Sequence, residues 1–295
     1  MNVRVARLPL YAAGLAVIVG AAVTGCASSG TGAGTGGASA QAPVSPLAAV
    51  QLAAKTAKTA NSYTGTMDLQ ATVKPGAAGA SGTSRQLSMT GTFAEQLRPS
   101  LLASANFTSL TSGGQSLPGG FTEIITPATF YLKWPNLTQQ LHMSKPWMSL
   151  SVAAASKSTG IDFSQLMDEA TGNGPLVQSQ MLAAAMSVQQ VGTGTISGVP
   201  VTEYTGKIPL EKAAASLSGS AKTTLEQASA SDGLTEATFT DWIDAQHIVR
   251  KAIVIEVGPS ISETITVTTT SINQPVNISI PSASQTSPLP SSAMG

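Results

Sequence analysis

The chain has one cysteine and two histidines in 295 residues, only 4% of it is aromatic, and only 10% is charged. Each shortage excludes something. A single cysteine leaves no disulfide framework and no thiolate metal site, so any domain here is held by a hydrophobic core. Two histidines, His142 and His247, leave little room for a nucleophilic triad or a zinc centre. Basic and acidic residues balance at 15 each, and removing the first 25 residues takes away Arg4 and Arg7 but no acid. The remainder is slightly acidic, which argues against a nucleic-acid partner. The glycine clusters at 113–120 and 172–174 lack both the P-loop lysine and the dinucleotide-fold spacing, so no phosphate cradle and no cofactor are expected.

What is present begins at the N-terminus. Arg4 and Arg7 precede a run of small and apolar residues from Leu8 to Val23, and Val23-Thr24-Gly25-Cys26 closes it with the small-small-Cys pattern of a bacterial lipobox. The run is short for a spanning helix, which needs about 20 apolar residues. Residues 1–25 are therefore expected to be a lipoprotein signal peptide, with Cys26 as the lipidated first residue of an extracytoplasmic chain on the outer leaflet of the cell membrane. Residues 26–44 are rich in Gly, Ser, Thr and Ala without apolar periodicity, the composition of a flexible linker. A domain over 45–280 follows, and 281–295 is Ser/Pro-rich and expected to be a disordered tail.

Ser45-Pro46 reads as an N-cap and N1 pair, opening a helix that carries Leu47, Val50 and Ala54 on one face and ends near Asn61. From Tyr63 the period becomes two: Tyr63, Gly65, Met67, Leu69, Ala71 and Val73 alternate with polar residues, as on a strand with one buried face. The same alternation returns at Leu87–Phe93 and Leu101–Phe107, and shorter strands are expected at Glu123–Ile125, Thr129–Trp134 and Leu137–Met143. The middle is expected to be helical. One stripe holds Phe163, Leu166, Met167 and Ala170, and a second holds Val177, Met181, Ala184, Ala185 and Val188.

Strand then resumes over Val191–Ile208, with a turn at Gly198-Val199-Pro200. A helix opens near Pro209, and 219–233 reads as its frayed continuation or a loop. Three strands, Ala237–Ile243, Ile248–Val257 and Ile261–Ile272, close the domain. Tyr63-Thr64-Gly65 is echoed by Tyr204-Thr205-Gly206, two short matches in a Thr/Gly-rich chain from which no duplication is inferred.

Few residues suggest catalysis. His142, between Leu141 and Met143, would point to the solvated side of a strand. Asp241, Asp244 and His247 read better as a hairpin turn than as a metal cluster, because Asp initiates turns and His tolerates unusual dihedrals. Asp168 and Glu169 are adjacent on a helix and face different directions. No enzyme is expected.

The order of elements behind the lipobox resembles the mycobacterial LppX/LprA/LprF/LprG lipoprotein family, which shares the LolA-like half-barrel. The resemblance rests on Asn61-Ser62-Tyr63-Thr64-Gly65, Thr129-Phe130-Tyr131-Leu132-Lys133-Trp134, Lys145-Pro146-Trp147-Met148-Ser149-Leu150, Gly198–Tyr204 and Phe239–Asp244 running on to Lys251. It implies an α+β fold: a curved antiparallel sheet, a half-barrel, with helices covering its concave face. It also implies an apolar cavity for lipid or lipoglycan acyl chains and an envelope export partner. The lining residues expected from alternation and helical stripes are Met89, Phe93, Phe107, Phe130, Trp134, Met143, Trp147, Met181 and Met186. The alternative is an envelope protein-binding or stress-sensor module on the same scaffold, with its interior packed solid.

Overall fold

The computed structural model describes residues 44–57, 59–75, 83–116, 119–159, 162, 164, 182, 184–217 and 219–290. Helix α1 (Pro46–Ala57) starts where Ser45 offers a side-chain acceptor: its Oγ takes a hydrogen bond from the Ala48 amide at 3.3 Å. It buries Ala49, Val50, Ala53, Ala54 and Ala57. The long strands β1 (Ser62–Val73), β2 (Arg85–Gln96) and β3 (Leu102–Ser112) form the expected meander. A two-residue strand β4 (Gln115–Ser116) folds back on β3, and β5 (Phe121–Ile125) and β6 (Thr129–Lys133) continue outward.

The next element differs from expectation. Leu137–Met143 is not a strand, because Pro135 takes the first turn of a short helix α2 (Pro135–Gln140) that ends in a turn with His142 at φ +50°. The alternation that suggested a strand is short, and proline's fixed φ with its missing donor favours a helix start. His142 is nonetheless exposed. Strand β7 (Trp147–Ser151) leads into helix α3 (Val152–Thr159).

The stripe from Phe163 to Ala170 lies outside the described residues apart from isolated positions, as does Val177 to Met181. The second stripe cannot continue through Val188, because β8 already runs over Met186–Ile196. Ser197 and Gly198 turn the chain with φ of +48° and +82°, the pattern of a two-residue hairpin, and β9 (Val199–Pro209) starts two residues earlier than the expected turn allowed. Helix α4 (Leu210–Ser216) follows Pro209, and 219–233 is no loop but a second helix, α5 (Gly219–Asp232). It carries an exposed Lys222–Glu226 ion pair, one turn apart. β10 (Glu236–Asp244), β11 (Val249–Val257) and β12 (Ile261–Ile272) match the last three expected strands.

Within the segment expected to be a disordered tail, residues 283–288 fold. After a 3-10 turn at Ala283–Gln285, β13 (Thr286–Pro288) pairs in parallel with β7, and Lys145 donates to the carbonyls of Ala283 at 2.8 Å and Thr286 at 2.9 Å. Low hydrophobicity hid this strand, which is held by backbone hydrogen bonds on a sheet edge.

All these strands belong to one open sheet, in the order β13-β7-β6-β5-β3-β2-β1-β12-β11-β10-β9-β8, with β4 off the path and only the β13–β7 pair parallel. The sheet curves. Helix α1 packs on β8 and β10 while its Ala57 carbonyl accepts from the Tyr63 hydroxyl of β1 at 3.1 Å. Strands β1 and β8 stand five places apart, which in a flat sheet is about 24 Å. One hydrophobic cluster accordingly runs from Phe107 and Phe93 through Val50 to Phe239 and Ile208, roofed by Val152 and Ala155 of α3 and Leu210 and Ala213 of α4. The fold is α+β, an open antiparallel sheet whose inner face is covered by helices.

Candidate functional site

The inner face can be read from the register. On β2, Met89, Gly91, Phe93 and Glu95 point the same way, opposite Leu69, Met67, Gly65 and Tyr63 of β1. On the other side of β2 lie Leu110, Phe107, Ala105 and Ala103 of β3, and beyond them Phe121, Glu123 and Ile125 of β5. Period-two alternation therefore carries two acids into an apolar surface. Glu95 and Glu123 are both fully enclosed, with relative exposures of 5% and 6%.

Between them β3 presents only Ala103 and Ala105, and the missing bulk leaves a cavity of about 20 Å³ lined by Met67, Phe93, Glu95, Ala103, Ser104, Ala105, Glu123 and Ile125. That is room for one water-sized group. Oε2 of Glu95 is buried without a hydrogen-bond partner.

Among the described residues neither acid forms an ion pair. Burial pushes the Glu95 carboxyl up to about 8 and that of Glu123 up to about 7, since a charge there loses its hydration and gains no counter-charge. Asp241 of β10, on the same face beside Phe239, is likewise raised to about 7 by burial. The neighbouring Asp244 serves the turn. Its Oδ1 accepts from the amides of Gln246 and Ile248, both at 2.9 Å, its Oδ2 pairs with Arg250 Nε at 2.7 Å, and His247 takes φ +59°. The hairpin reading of Asp244 and His247 holds, and Asp241 is separate from it.

The Tyr-Thr-Gly echo occupies equivalent stations. Gly65 lies opposite Phe93 and Tyr63 opposite Glu95; Gly206 lies opposite Phe239 and Tyr204 opposite Asp241. Each glycine leaves the space its partner ring fills, since a Cβ at either would come within 2.6 Å of that ring. Each half of the sheet thus buries a carboxyl two residues beyond a Gly–Phe contact, on the same face.

No family model matches the chain, and no curated protein matches it. Solved structures do. In fold the chain is similar to two mycobacterial lipoproteins. LppX of Mycobacterium tuberculosis matches over 79% of this chain and 98% of its own, at 18% identity and a TM-score of 0.47. LprF of Mycobacterium bovis matches over 81% and 97%, at 13% identity and a TM-score of 0.46. The MucA/MucB complex of Pseudomonas aeruginosa matches over 81% of this chain and 59% of its own, at 13% identity and a TM-score of 0.33. At such identities the likeness is one of fold alone.

The structure gathers five of the expected lining residues on the inner face. Met89, Phe93 and Phe107 are in the core, and Phe130 and Trp134 pack against it half-buried. The Phe107 and Phe121 rings stack at 4.5 Å, and Trp134 tilts against Phe121 at 5.8 Å. Three of the others do not join them. Trp147 takes the opposite face, because alternation gives the inward position on β7 to the buried Met148. Met143 lies half-buried in the turn after α2, and Met186, at the start of β8, is 42% exposed. Met181 and Cys26 lie outside the described residues. Sequence reasoning missed Glu95, Glu123 and Asp241, although a signal was available: each is an acid at the inward parity of a one-sided strand.

Proposed function

We propose that the protein is a lipid carrier of the bacterial cell envelope, tethered to the outer leaflet through Cys26 and holding acyl chains of a lipid or lipoglycan against the inner face of its sheet. The observation that carries this reading is the continuous apolar surface on which Met89, Phe93, Phe107, Phe130 and Trp134 come together under helices. The helices bring short side chains to it, largely the alanines of α1 and Ala155 and Ala213. Small groups interlock less than long ones, so such a roof can lift at modest cost. Chains would be held by burial of apolar area, about 25 cal/mol per Å² or roughly 0.8 kcal/mol per methylene, with no covalent step.

The test is native mass spectrometry, with organic extraction, of the full chain purified from membranes of a related host. An acylated lipid at near one per chain supports the carrier. A bare mass, together with no uptake of a fluorescent fatty-acyl probe, sinks it.

One observation favours a second reading, an envelope protein-binding module. Among the described residues β8 is an edge strand paired only with β9; its burial pattern is mostly exposed, and Val191 is 51% accessible. Such an edge can accept a partner's strand. A bare mass combined with protein cross-links mapping to β8 would move the assignment there.

A further inference from the structure

Two acids on the apolar face of a sheet, with neither a base nor a metal cluster beside them among the described residues, call for a reason. Burying one unpaired carboxyl costs several kcal/mol if it is charged and still costs if its oxygens lack partners. Here the cost is met twice within one cavity. Glu95 and Glu123 reach it from β2 and β5 across Ala103 and Ala105 of the strand between them. Any larger residue at 103 or 105 would fill the gap, and apolar residues at 95 or 123 would complete the core. Oε2 of Glu95 remains without a partner in a space the size of a single oxygen or nitrogen.

Building on the carrier reading, we propose that Glu95 and Glu123 form the head-group subsite of the inner face, taking the hydrogen-bond-donating, non-anionic end of an amphiphile. That end is a hydroxyl of a glycerol- or sugar-type lipid or a primary ammonium. A hydroxyl can donate to or accept from Glu95 Oε2, and an ammonium can donate to it as the carboxyl gives up its proton. A phosphate or carboxylate would bring an uncompensated charge into an apolar face with no lysine or arginine among the lining residues, and is rejected. The acyl chain would then lie along Phe93, Phe107 and Met67, which adjoin the cavity on the same face.

The experiment uses the full chain in detergent and three amphiphiles with a ten-carbon chain: decanoylglycerol, decylamine and decanoate. Binding is read at neutral pH by native mass spectrometry for the wild type, Glu95→Gln and Glu95→Met. The wild type is expected to bind decanoylglycerol or decylamine at least about tenfold more tightly than decanoate, the scale of one buried hydrogen bond. Glu95→Met, of similar volume and apolar, removes that preference. Glu95→Gln separates the two heads, because a carboxamide still serves a hydroxyl but cannot neutralise an ammonium.

Equal binding of all three amphiphiles by the wild type, or an unchanged ranking in Glu95→Met, overturns the subsite while leaving the carrier standing. In that case the cavity holds only a structural water. If the wild type binds none of the three, the carrier reading and the subsite fall together.

Discussion

At Glu95, Glu123 and Asp241 the folded carboxyl binds its proton more tightly than it would in an unfolded chain, where Glu titrates near 4.5 and Asp near 3.8. Between those values and the raised ones, about 8, 7 and 7, the folded state holds more protons. Stability is therefore fully present below about pH 4, falls as pH rises through the window, and levels off above about pH 8. The slope is up to about 1.4 kcal/mol per pH unit for each titrating group. Urea unfolding from pH 5 to 8.5 should show this decline, and Glu95→Gln/Glu123→Gln should flatten it and raise stability at the alkaline end. A double variant with the wild-type slope would mean these carboxyls are not held as the structure has them.

The paired glycines allow a second test at this scale. Gly65→Ala would drive a Cβ into the Thr268 carbonyl oxygen and to 2.6 Å from the Phe93 ring. It should cost about 1–3 kcal/mol by overpacking. A urea midpoint equal to wild type would contradict the close approach.

Among the elements, β13 is the least expected and the easiest to remove. It covers the outer side of β7 with backbone bonds, extended by the Leu289 amide donating to the Ser149 carbonyl at 2.8 Å. It also supplies both acceptors of Lys145. Deleting 282–295 should lower unfolding free energy by about 1–3 kcal/mol and leave β7 as a bare edge prone to self-pairing. Size-exclusion chromatography and urea melts of the truncated chain against the whole would check this, and identical behaviour would show the strand to be dispensable.

The elements also differ in how far they could be read in advance. β1, β2 and β10 to β12 were legible because long one-sided strands repeat apolar residues every second position many times over. α2, only six residues long, had too few turns to reveal a helical period, and its proline was the deciding signal. α5 was obscured by a composition of Ser, Thr, Ala and Lys with little apolar stripe to detect.

Across the whole molecule, the sheet acquires one continuous inner face by joining two meanders. β1 and β12 pair along their length, from Tyr63 opposite Ile272 to Val73 opposite Ile261, so the first and last long strands sit side by side at the centre. This places the Gly65–Phe93–Glu95 station and the Gly206–Phe239–Asp241 station on one continuous surface. The proposed carrier is a property of that surface. A lipid should therefore protect amides of α1 and α4, which cover it, against hydrogen exchange more than those of the outlying β8.

The sequence by itself determined that a sheet with one apolar face would form, where its long strands run, and that Asp244 and His247 make a turn. These follow from periods of two and from local backbone preferences, which act between near neighbours. It also carried the composition of an exported, lipid-tethered chain as an expectation at Cys26. Only the tertiary structure decided that Trp147 faces away from Phe93, that 286–288 closes an edge, and that Glu95 meets Glu123 over two alanines. Those outcomes depend on register between strands that are distant in sequence or separated by a third, and no local pattern encodes that register.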